Sequence, residues 1–595
     1  MSLSAALNTA KSSLAASQVQ TGIVSSNIAN VNTPGATRKV ASLVSGANGT
    51  VHVSSVAQSS NSILFRNMLD ATSQLSRFNA QGDVLSRLNE IVGDTTDKQS
   101  PQARISALND ALSDLANTPG NYDLARAAVQ AAQDLASTLR DNADAVNTIR
   151  RDADTQLSTA ATDMNRILAE LETVNRQVVA GTTKGSDVTD LSDQRDRLVK
   201  ELSNYVGLSV QTRGNNDMVV YTDSGVTLLE TQARNVSFTA TNPLVAGQPG
   251  NAFYIDGVAV TGNNSYMPIR SGLVVGLTDV RDDIAVTYGK QIDEMARGLV
   301  SAFAEYDQTG SGAAKTGLFT TTMPMSVATD AVAMDAYAAD APANGDELSF
   351  SVTYQGTKYT AKGKVTIPAT AAEFAAQVQT LAAKATAADG SVLGAGHVAV
   401  SDNAGSLSFQ ATGVGTAIGF QIGDVKNLTN AAGGVGGLKA VASVNENAID
   451  TAGLAASLTL AAGLTSDPTK VRDGVNYDYN ASDLGGFSGR INALTAALGT
   501  ARGFSADAGA VTKATLADFA SSSISWLQDS RSTVTKTVSS KETLVAKTTE
   551  TLSNETGINL DEELTRLLEL ERSYQASAKI ISTVDQMMAA LLQSI

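Results

Sequence analysis

The sequence predicts a multidomain α+β protein, with a terminal α-helical coiled coil from both chain ends, a long helical-bundle body and inserted β-rich modules. Three observations predict this fold class. Apolar residues recur at heptad spacing near both termini, a long helical stripe runs through the first half of the chain, and two stretches alternate with a period of two. With 595 residues, the chain is too long for a single compact core.

The first predicted element is an N-terminal helix with one apolar face. Its stripe consists of Leu3, Leu7, Ala10, Leu14, Val24, Ile28 and Val31. We expect the helix to end before Thr33-Pro34-Gly35, because proline disfavours helical geometry in the residue before it.

A longer apolar stripe occupies the C-terminus. One heptad position holds Leu567, Tyr574, Ile581, Met588 and Ile595, and the position three residues later holds Leu570, Ser577, Val584 and Leu591. Asn559 ahead of three acidic residues predicts the start of this helix. Chain ends fray unless something docks them, so a stripe at the terminus favours packing between molecules over an ordinary core.

Between the ends, the stripe from Leu135 to Val178 predicts a helix roughly 65 Å long. Period-two alternation predicts a small β-module and, later, an insert with the order strand, strand, helix, strand, strand. The predicted division is 1–55 N-terminal coiled-coil segment, 56–205 helical-bundle body, 206–270 small β-module, 271–335 helical return of the body, 336–447 outer insert, 448–555 second helical return and 556–595 C-terminal coiled-coil segment.

Composition excludes several classes of function. The net charge of −16 argues against nucleic-acid binding, which needs clustered basic residues. Without cysteine there is neither a disulfide framework nor a thiolate metal site. The N-terminus lacks the pattern of a cleaved signal peptide, and the most apolar run, 452–464, is shorter than the roughly 20 residues that span a bilayer.

No candidate for catalysis or cofactor binding has the required pattern. His52 and His397 belong to no metal or triad spacing, and the stretch 310–316 departs from a phosphate loop. Asn476, Asp478 and Asn480 resemble the start of a calcium loop, but the later positions do not fit. The acidic pairs Asp282/Asp283 and Glu562/Glu563 are expected on solvated helix faces. The sequence therefore predicts no enzyme, metal or cofactor.

The N-terminal stretch 25–35 resembles the signature of the flagellar axial protein family, which comprises rod, hook and hook-associated subunits. The residues that carry this motif are Asn27, Ile28, Asn30, Asn32, Thr33, Pro34 and Gly35. The C-terminal stretch 574–583 is similar to the other end of the same family. Ala36 stands where the family usually has tyrosine, so a contact made by that aromatic ring is not expected here.

Interior residues narrow the resemblance to the hook-associated subunits that join hook to filament. These are Asp190 to Val199, Ser271 to Asp282 and Gly557 to Glu563, whereas the 336–447 insert resembles nothing specific. The resemblance implies an extracellular structural protein, exported without a cleaved signal peptide through the flagellar type III apparatus. It also implies a homo-oligomeric ring that contacts hook protein and hook-associated protein 3, and a cytoplasmic export chaperone.

The resemblance assigns assembly and chaperone binding to Leu567, Leu570, Tyr574, Ile581, Val584, Met588 and Leu591 on the C-terminal helix. Three alternatives remain at this stage. Hook protein would share both chain ends but lack the 190–199 block, a cell-wall hydrolase would need a catalytic pocket, and an adhesin would depend on the insert. The predicted mechanism is self-assembly through paired terminal helices.

Overall fold

The computed structural model describes most of the chain. The described residues are 3–46, 49–93, 97–306, 308, 315–322, 332–333, 347–354, 357–364, 371–395, 397–403, 406–411, 418–422 and 451–593. Long helices dominate, and small antiparallel sheets interrupt them. The α+β fold class with a helical body is confirmed.

The helices and strands follow one another in chain order. The helices are α1 (Leu3–Asn30), α2 (Ser62–Val92), α3 (Pro101–Asn117), α4 (Tyr122–Lys184), α5 (Thr189–Ser203), α6 (Leu273–Asp279), α7 (Ala285–Ala302), α8 (Ala371–Ala383), α9 (Lys470–Asp473), α10 (Gly489–Gly499), α11 (Leu516–Thr556) and α12 (Leu560–Gln593). The strands are β1 (Lys39–Ser45), β2 (Val51–Gln58), β3 (Leu208–Thr212), β4 (Met218–Thr222), β5 (Thr227–Leu229), β6 (Val236–Ser237), β7 (Tyr254–Ile255), β8 (Val258–Ala259), β9 (Phe319–Thr320), β10 (Val332–Ala333), β11 (Glu347–Tyr354), β12 (Thr357–Lys364), β13 (Thr386–Ala387), β14 (Val398–Asn403), β15 (Ser406–Ala411), β16 (Ile418–Ile422), β17 (Thr459–Leu460), β18 (Arg502–Gly503) and β19 (Lys513–Ala514).

Helix α4 is the axis of the body. Its 63 residues give a length of about 95 Å, so it is longer than its predicted stripe. The Asn121 side chain caps the start, and Gly185, with φ of 70°, ends the helix in the left-handed conformation that glycine favours. The predicted stripe from Leu135 to Val178 is buried throughout. Helices α2, α3, α5, α6 and α7 pack against it, and α10 and α11 pack onto these helices in the same continuous hydrophobic core.

Two three-stranded sheets lie between α5 and α6, with strand orders β3-β4-β5 and β6-β7-β8. Within the later insert, the described elements are two strands, a helix and four further strands, so two more strands follow the helix than the predicted order contains. At its base, β9 pairs antiparallel with β17, and the hydroxyls of Thr321 and Ser457 lie 2.5 Å apart. The chain therefore leaves the body and returns to it side by side.

The predicted helical return over 448–555 needs correction, because the long helix α11 begins only at Leu516 and residues 451–515 contain mostly turns. Buried carboxylates hold this irregular backbone. Asp293 accepts hydrogen bonds from the amides of Gly453 and Ala455, and Glu305 accepts three from residues 475–477. These bonds replace those that a helix would supply.

Two further features differ from the sequence predictions. The hairpin of β1 and β2 was not predicted within the N-terminal segment. Asp282 is not on a solvated helix face, because its side chain is 11 % exposed, pairs with Arg281 and accepts a hydrogen bond from the Gly250 amide. A carboxylate at such a site is stabilised by the charge and donors around it.

Candidate functional site

The two ends of the chain meet in an antiparallel helix pair, α1 with α12. Two contacts establish the direction. The Ser13 and Ser577 hydroxyls lie 3.1 Å apart near the start of α1, and Asn27 contacts Glu563 near its end. Residues more than 500 positions apart in sequence thus form one site.

Each helix buries a row of residues at seven-residue spacing. On α12 the row is Glu563, Leu570, Ser577 and Val584, and on α1 it is Ala10, Ser17 and Val24. This is the spacing of a helix pair that keeps one seam against its partner. Small residues on α1 allow close approach of the two helices.

The residues predicted for assembly divide into three groups. Leu570 and Val584 are buried, Leu567 and Ile581 are partly buried, and Tyr574 and Met588 are 42 % and 45 % exposed. The side chain of Leu591 lies outside the described residues. The structure therefore brings only part of the predicted stripe against α1.

Further large apolar side chains of α12 face solvent. They are Leu560, Leu564, Leu568, Ile580, Met587 and Leu592, with exposures between 41 % and 74 %. Scattered apolar residues are ordinary on a protein surface, but so many on one helix indicate an interaction surface.

The motif turn connects α1 to the hairpin. Helix α1 ends at Asn30, before Thr33-Pro34-Gly35 as predicted, and the side chains of Asn32, Thr33 and Pro34 are exposed. Gly35 has φ of +75°, and a Cβ there would lie 2.9 Å from Cγ of Arg197. The turn therefore requires glycine both for its conformation and for its approach to α5.

Asn27 has the most specific contacts of the motif residues. Its amide nitrogen donates to the Lys39 carbonyl and its oxygen accepts from the Lys39 amide, at 3.0 and 3.1 Å. The same nitrogen also donates to Oε2 of Glu563 at 3.1 Å. One carboxamide thus joins α1, β1 and α12, which neither aspartate nor leucine could do.

Glu563 and Arg38 complete this junction. Arg38 donates to Glu563 at 2.8 Å and pairs with Glu562 at 2.9 Å. Glu563 is 1 % exposed, so its expected place on a solvated face is wrong. Its position seven residues before Leu570, in the same row as Ser577 and Val584, is the sequence signal for this burial.

Helix α5 supplies the body side of the junction, from within the 190–199 block. Asp193 accepts hydrogen bonds from the hydroxyl and amide of Thr37, and Asp190 pairs with Lys39. Gln58 donates to Asp196 at 3.2 Å. Burial raises the pKa of Asp196 to about 6, opposed by the positive charge of Arg195. Burial also raises the pKa of Asp193, opposed by its bonds to Thr37.

The site offers hydrogen bonds, ion pairs and apolar surface. In the part of the chain that the structure describes, no three histidine, cysteine or acidic residues cluster as metal ligands. No helix among the described residues is both long and apolar enough to cross a membrane.

Three protein families match parts of this chain. The flagellar hook-associated protein FlgK helical domain matches residues 85–319. The flagella basal body rod protein family matches residues 7–37, and the flagellar basal body rod FlgEFG protein C-terminal family matches residues 553–594. These matches confirm the resemblance to axial proteins at both ends and to hook-associated proteins in the interior.

Individual proteins agree with the family matches. The flagellar hook-associated protein 1 of Salmonella typhimurium is 25 % identical over 38 % of this chain and 43 % of its own length. The protein of the same name from Bacillus subtilis is 23 % identical over 38 % of this chain and 48 % of its own length. The chain thus spans about half the length of these relatives.

Among solved structures, the flagellar hook junction protein FlgK from Burkholderia pseudomallei is similar with a TM-score of 0.48 and 13 % identity. The similarity covers 82 % of this chain and 99 % of that chain.

Proposed function

We propose that this chain, which carries the helical domain of the hook-associated proteins between the terminal segments of the rod-type proteins, is a structural subunit of the bacterial flagellum. It forms the junction between hook and filament by self-assembly through its paired terminal helices. Its place is extracellular, in the flagellum, after export through the flagellar type III apparatus. It acts by binding and not by catalysis.

One observation carries this proposal. Asn27 and Arg38 hold the α1–α12 pair together through Glu563, and Thr37 joins it to Asp193 of the body, yet α12 leaves large apolar side chains in water. A helix that is held in place and still exposes leucines is suited to packing against other molecules. The body, by contrast, buries its apolar rows within the chain.

The proposed partners rest on the resemblance to the flagellar axial family and on the predicted site. We propose that Leu567, Leu570, Tyr574, Ile581, Val584, Met588 and Leu591 provide assembly contacts and bind an export chaperone before assembly. Hook protein lies on one side of the ring and hook-associated protein 3 on the other. The match at 85–319 supports this function over that of hook protein itself, since hook protein should lack that helical domain.

A deletion strain tests the proposal. Cells without this protein should have intact hooks, no filaments, and flagellin in the medium, and the full gene should restore filaments. Cells that lack hooks would make the chain a rod or hook subunit. Cells with normal filaments would refute any axial role.

A further inference from the structure

Exposed apolar side chains of α12 form two groups at different positions along the helix axis. The proximal patch consists of Leu560, Leu564 and Leu568, and the distal patch consists of Ala576, Ile580 and Met587. Apart from the alanine, these side chains are 41–58 % exposed. Each patch has the spacing of a row along one side of a helix.

The patches lie on opposite flanks of the helix pair. Helix α1 lies against the side of α12 that carries Leu570. At 3.6 residues per turn, the proximal patch is about 80–160° around the helix from Leu570 in one direction, and the distal patch is about 80–120° around in the other. A molecule that covers one flank therefore leaves the other open.

Each flank is mostly polar where the opposite flank is apolar. On the flank of the proximal patch, the residues nearer the C-terminus are the polar Glu571, Gln575, Ser582 and Asp585 and the small Ala578 and Ala589, all exposed. On the flank of the distal patch, the residues nearer the start of α12 are Glu562, Glu569 and Ser573, also exposed. Arg38, which precedes β1, contacts the polar residues on the flank of the distal patch, where it pairs with Glu562 at 2.9 Å.

This pattern decides how parallel copies can pack side by side. Two copies at equal height would place the leucines of the proximal patch against the Glu562–Arg38 ion pair and the Glu569 carboxylate of the neighbour, and burying these charged groups under leucine is unfavourable. A relative shift along the helix axis instead places apolar side chains against apolar side chains. Unlike surfaces in contact form a heterologous interface, which continues around a ring or helix.

We propose that the proximal patch of each copy packs against the distal patch of a second copy of this chain, shifted along the helix. The middle of the proximal patch is Leu564 and that of the distal patch is Ile580, so neighbours are offset by about 24 Å at 1.5 Å per residue. This inference rests on the proposed function and adds which flanks meet and at what height. Each copy would therefore contact two neighbours, one through each flank of α12, and successive copies would be displaced along the helix axis.

Cysteine cross-linking tests the contact without background, because the chain contains no cysteine. The Leu564→Cys, Ile580→Cys variant is purified, added to filament-less hooks, oxidised and separated without reductant. Within one copy the two thiols are about 24 Å apart along α12 and cannot join to each other. We expect a ladder of dimers, trimers and larger species, with several-fold more cross-linked than monomeric protein.

Two matched variants separate the alternatives. Leu564→Cys alone should stay monomeric, and dimers from it would mean that like flanks meet, which overturns the heterologous contact. The Leu564→Cys, Glu569→Cys variant places the two thiols at nearly the same position along the helix axis, on opposite flanks. If only this variant forms cross-linked oligomers, neighbouring copies are not offset along the axis and the proposed shift is wrong. If all variants bind hooks without any cross-link, the patches do not meet. If the unsubstituted protein fails to bind hooks, the proposed function fails instead.

Discussion

Helices α4 and α12 both carry apolar residues at helical spacing, but they use them differently. Helix α4 buries the whole predicted stripe from Leu135 to Val178 against its own chain. Helix α12 buries only Leu570 and Val584 among its large apolar side chains whose burial the structure describes. The same sequence pattern thus forms a buried core face in one helix and leaves large apolar side chains exposed in the other.

The difference in burial arises from the number of helices that pack against each of the two. Helix α4 has neighbours on several sides, including α3, α5 and α7, whereas α12 has one long neighbour, α1. One partner helix covers one side, so the flanks of α12 remain exposed. Substitutions in the two helices should therefore affect different quantities, stability for α4 and assembly for α12.

The largest effect on stability is expected in α4. Leu168 is fully buried, so Leu168→Ala should lower the free energy of unfolding by about 2–5 kcal/mol through lost contacts and a cavity. Urea unfolding measures the change. Leu564→Ala on α12 is the matched control and should stay within about 0.5 kcal/mol. Equal losses from both variants would remove the distinction between the helices.

A smaller, local effect is expected at the junction. Asn27→Asp removes the donor to Lys39 and places a carboxylate beside buried Glu563, which should weaken the α1–α12 pair by roughly 1–3 kcal/mol. Faster hydrogen exchange in both terminal helices, with a body of unchanged stability, is the expected result.

Asn30→Asp is the control for that substitution, since the Asn30 side chain donates only to the Ser26 carbonyl within its own helix. Adding Glu563→Gln to Asn27→Asp restores an amide that faces a carboxylate. The double variant should recover part of the protection of the terminal helices against hydrogen exchange. If Asn30→Asp has the same effect as Asn27→Asp, the junction has no special role.

The junction should also respond to pH through Asp196. Its pKa is raised from 3.8 to about 6, so the folded state binds a proton more readily than the unfolded state. Stability from this group is therefore greatest at low pH and falls as pH rises from about 4 to about 7. Asp196→Asn should stabilise the protein at pH 8 by on the order of 1 kcal/mol and have less effect at pH 5. A melting-temperature difference that is the same at both pH values would contradict this.

The smallest effect on the body is expected from the insert. Replacing the predicted insert, 336–447, with a short Gly/Ser linker should change the free energy of unfolding of the body by less than about 1 kcal/mol, because β9 pairs with β17 at its base. Filaments should stay attached to cells that carry the shortened protein. Loss of folding in the remaining chain would show that the insert supports the body.

Sequence periodicity was informative for the apolar face of a helix and for the ends of helices. It predicted the buried stripe of α4, the end of α1 before the proline turn, and the cap at Asn559, whose side chain accepts from the amides of Asp561 and Glu562. These features depend on neighbours in sequence. Local patterns are enough to identify them.

Features made by distant residues were not predicted. The contact of Asn27 with Glu563 spans 536 positions, and the seven-residue row that contains Glu563 does not identify its partner. The β1–β2 hairpin buries only Lys39, and the alternation along β2 is interrupted at Ser54 and Ser55, where the pairing register shifts. The irregular segment 451–515 depends on carboxylates of α7 and the residues after it, which a helical pattern does not show.

Assembly of a doubly substituted protein tests the central claim that the exposed row of α12 serves other molecules. Purified Leu564→Asp, Leu568→Asp protein, added to filament-less hooks, should fail to bind while its melting temperature stays that of the parent. The Gln575→Asp, Ser582→Asp protein adds the same charge at exposed polar positions of that flank and should bind normally. Normal binding by the first variant, or a clearly lower melting temperature, would contradict the account.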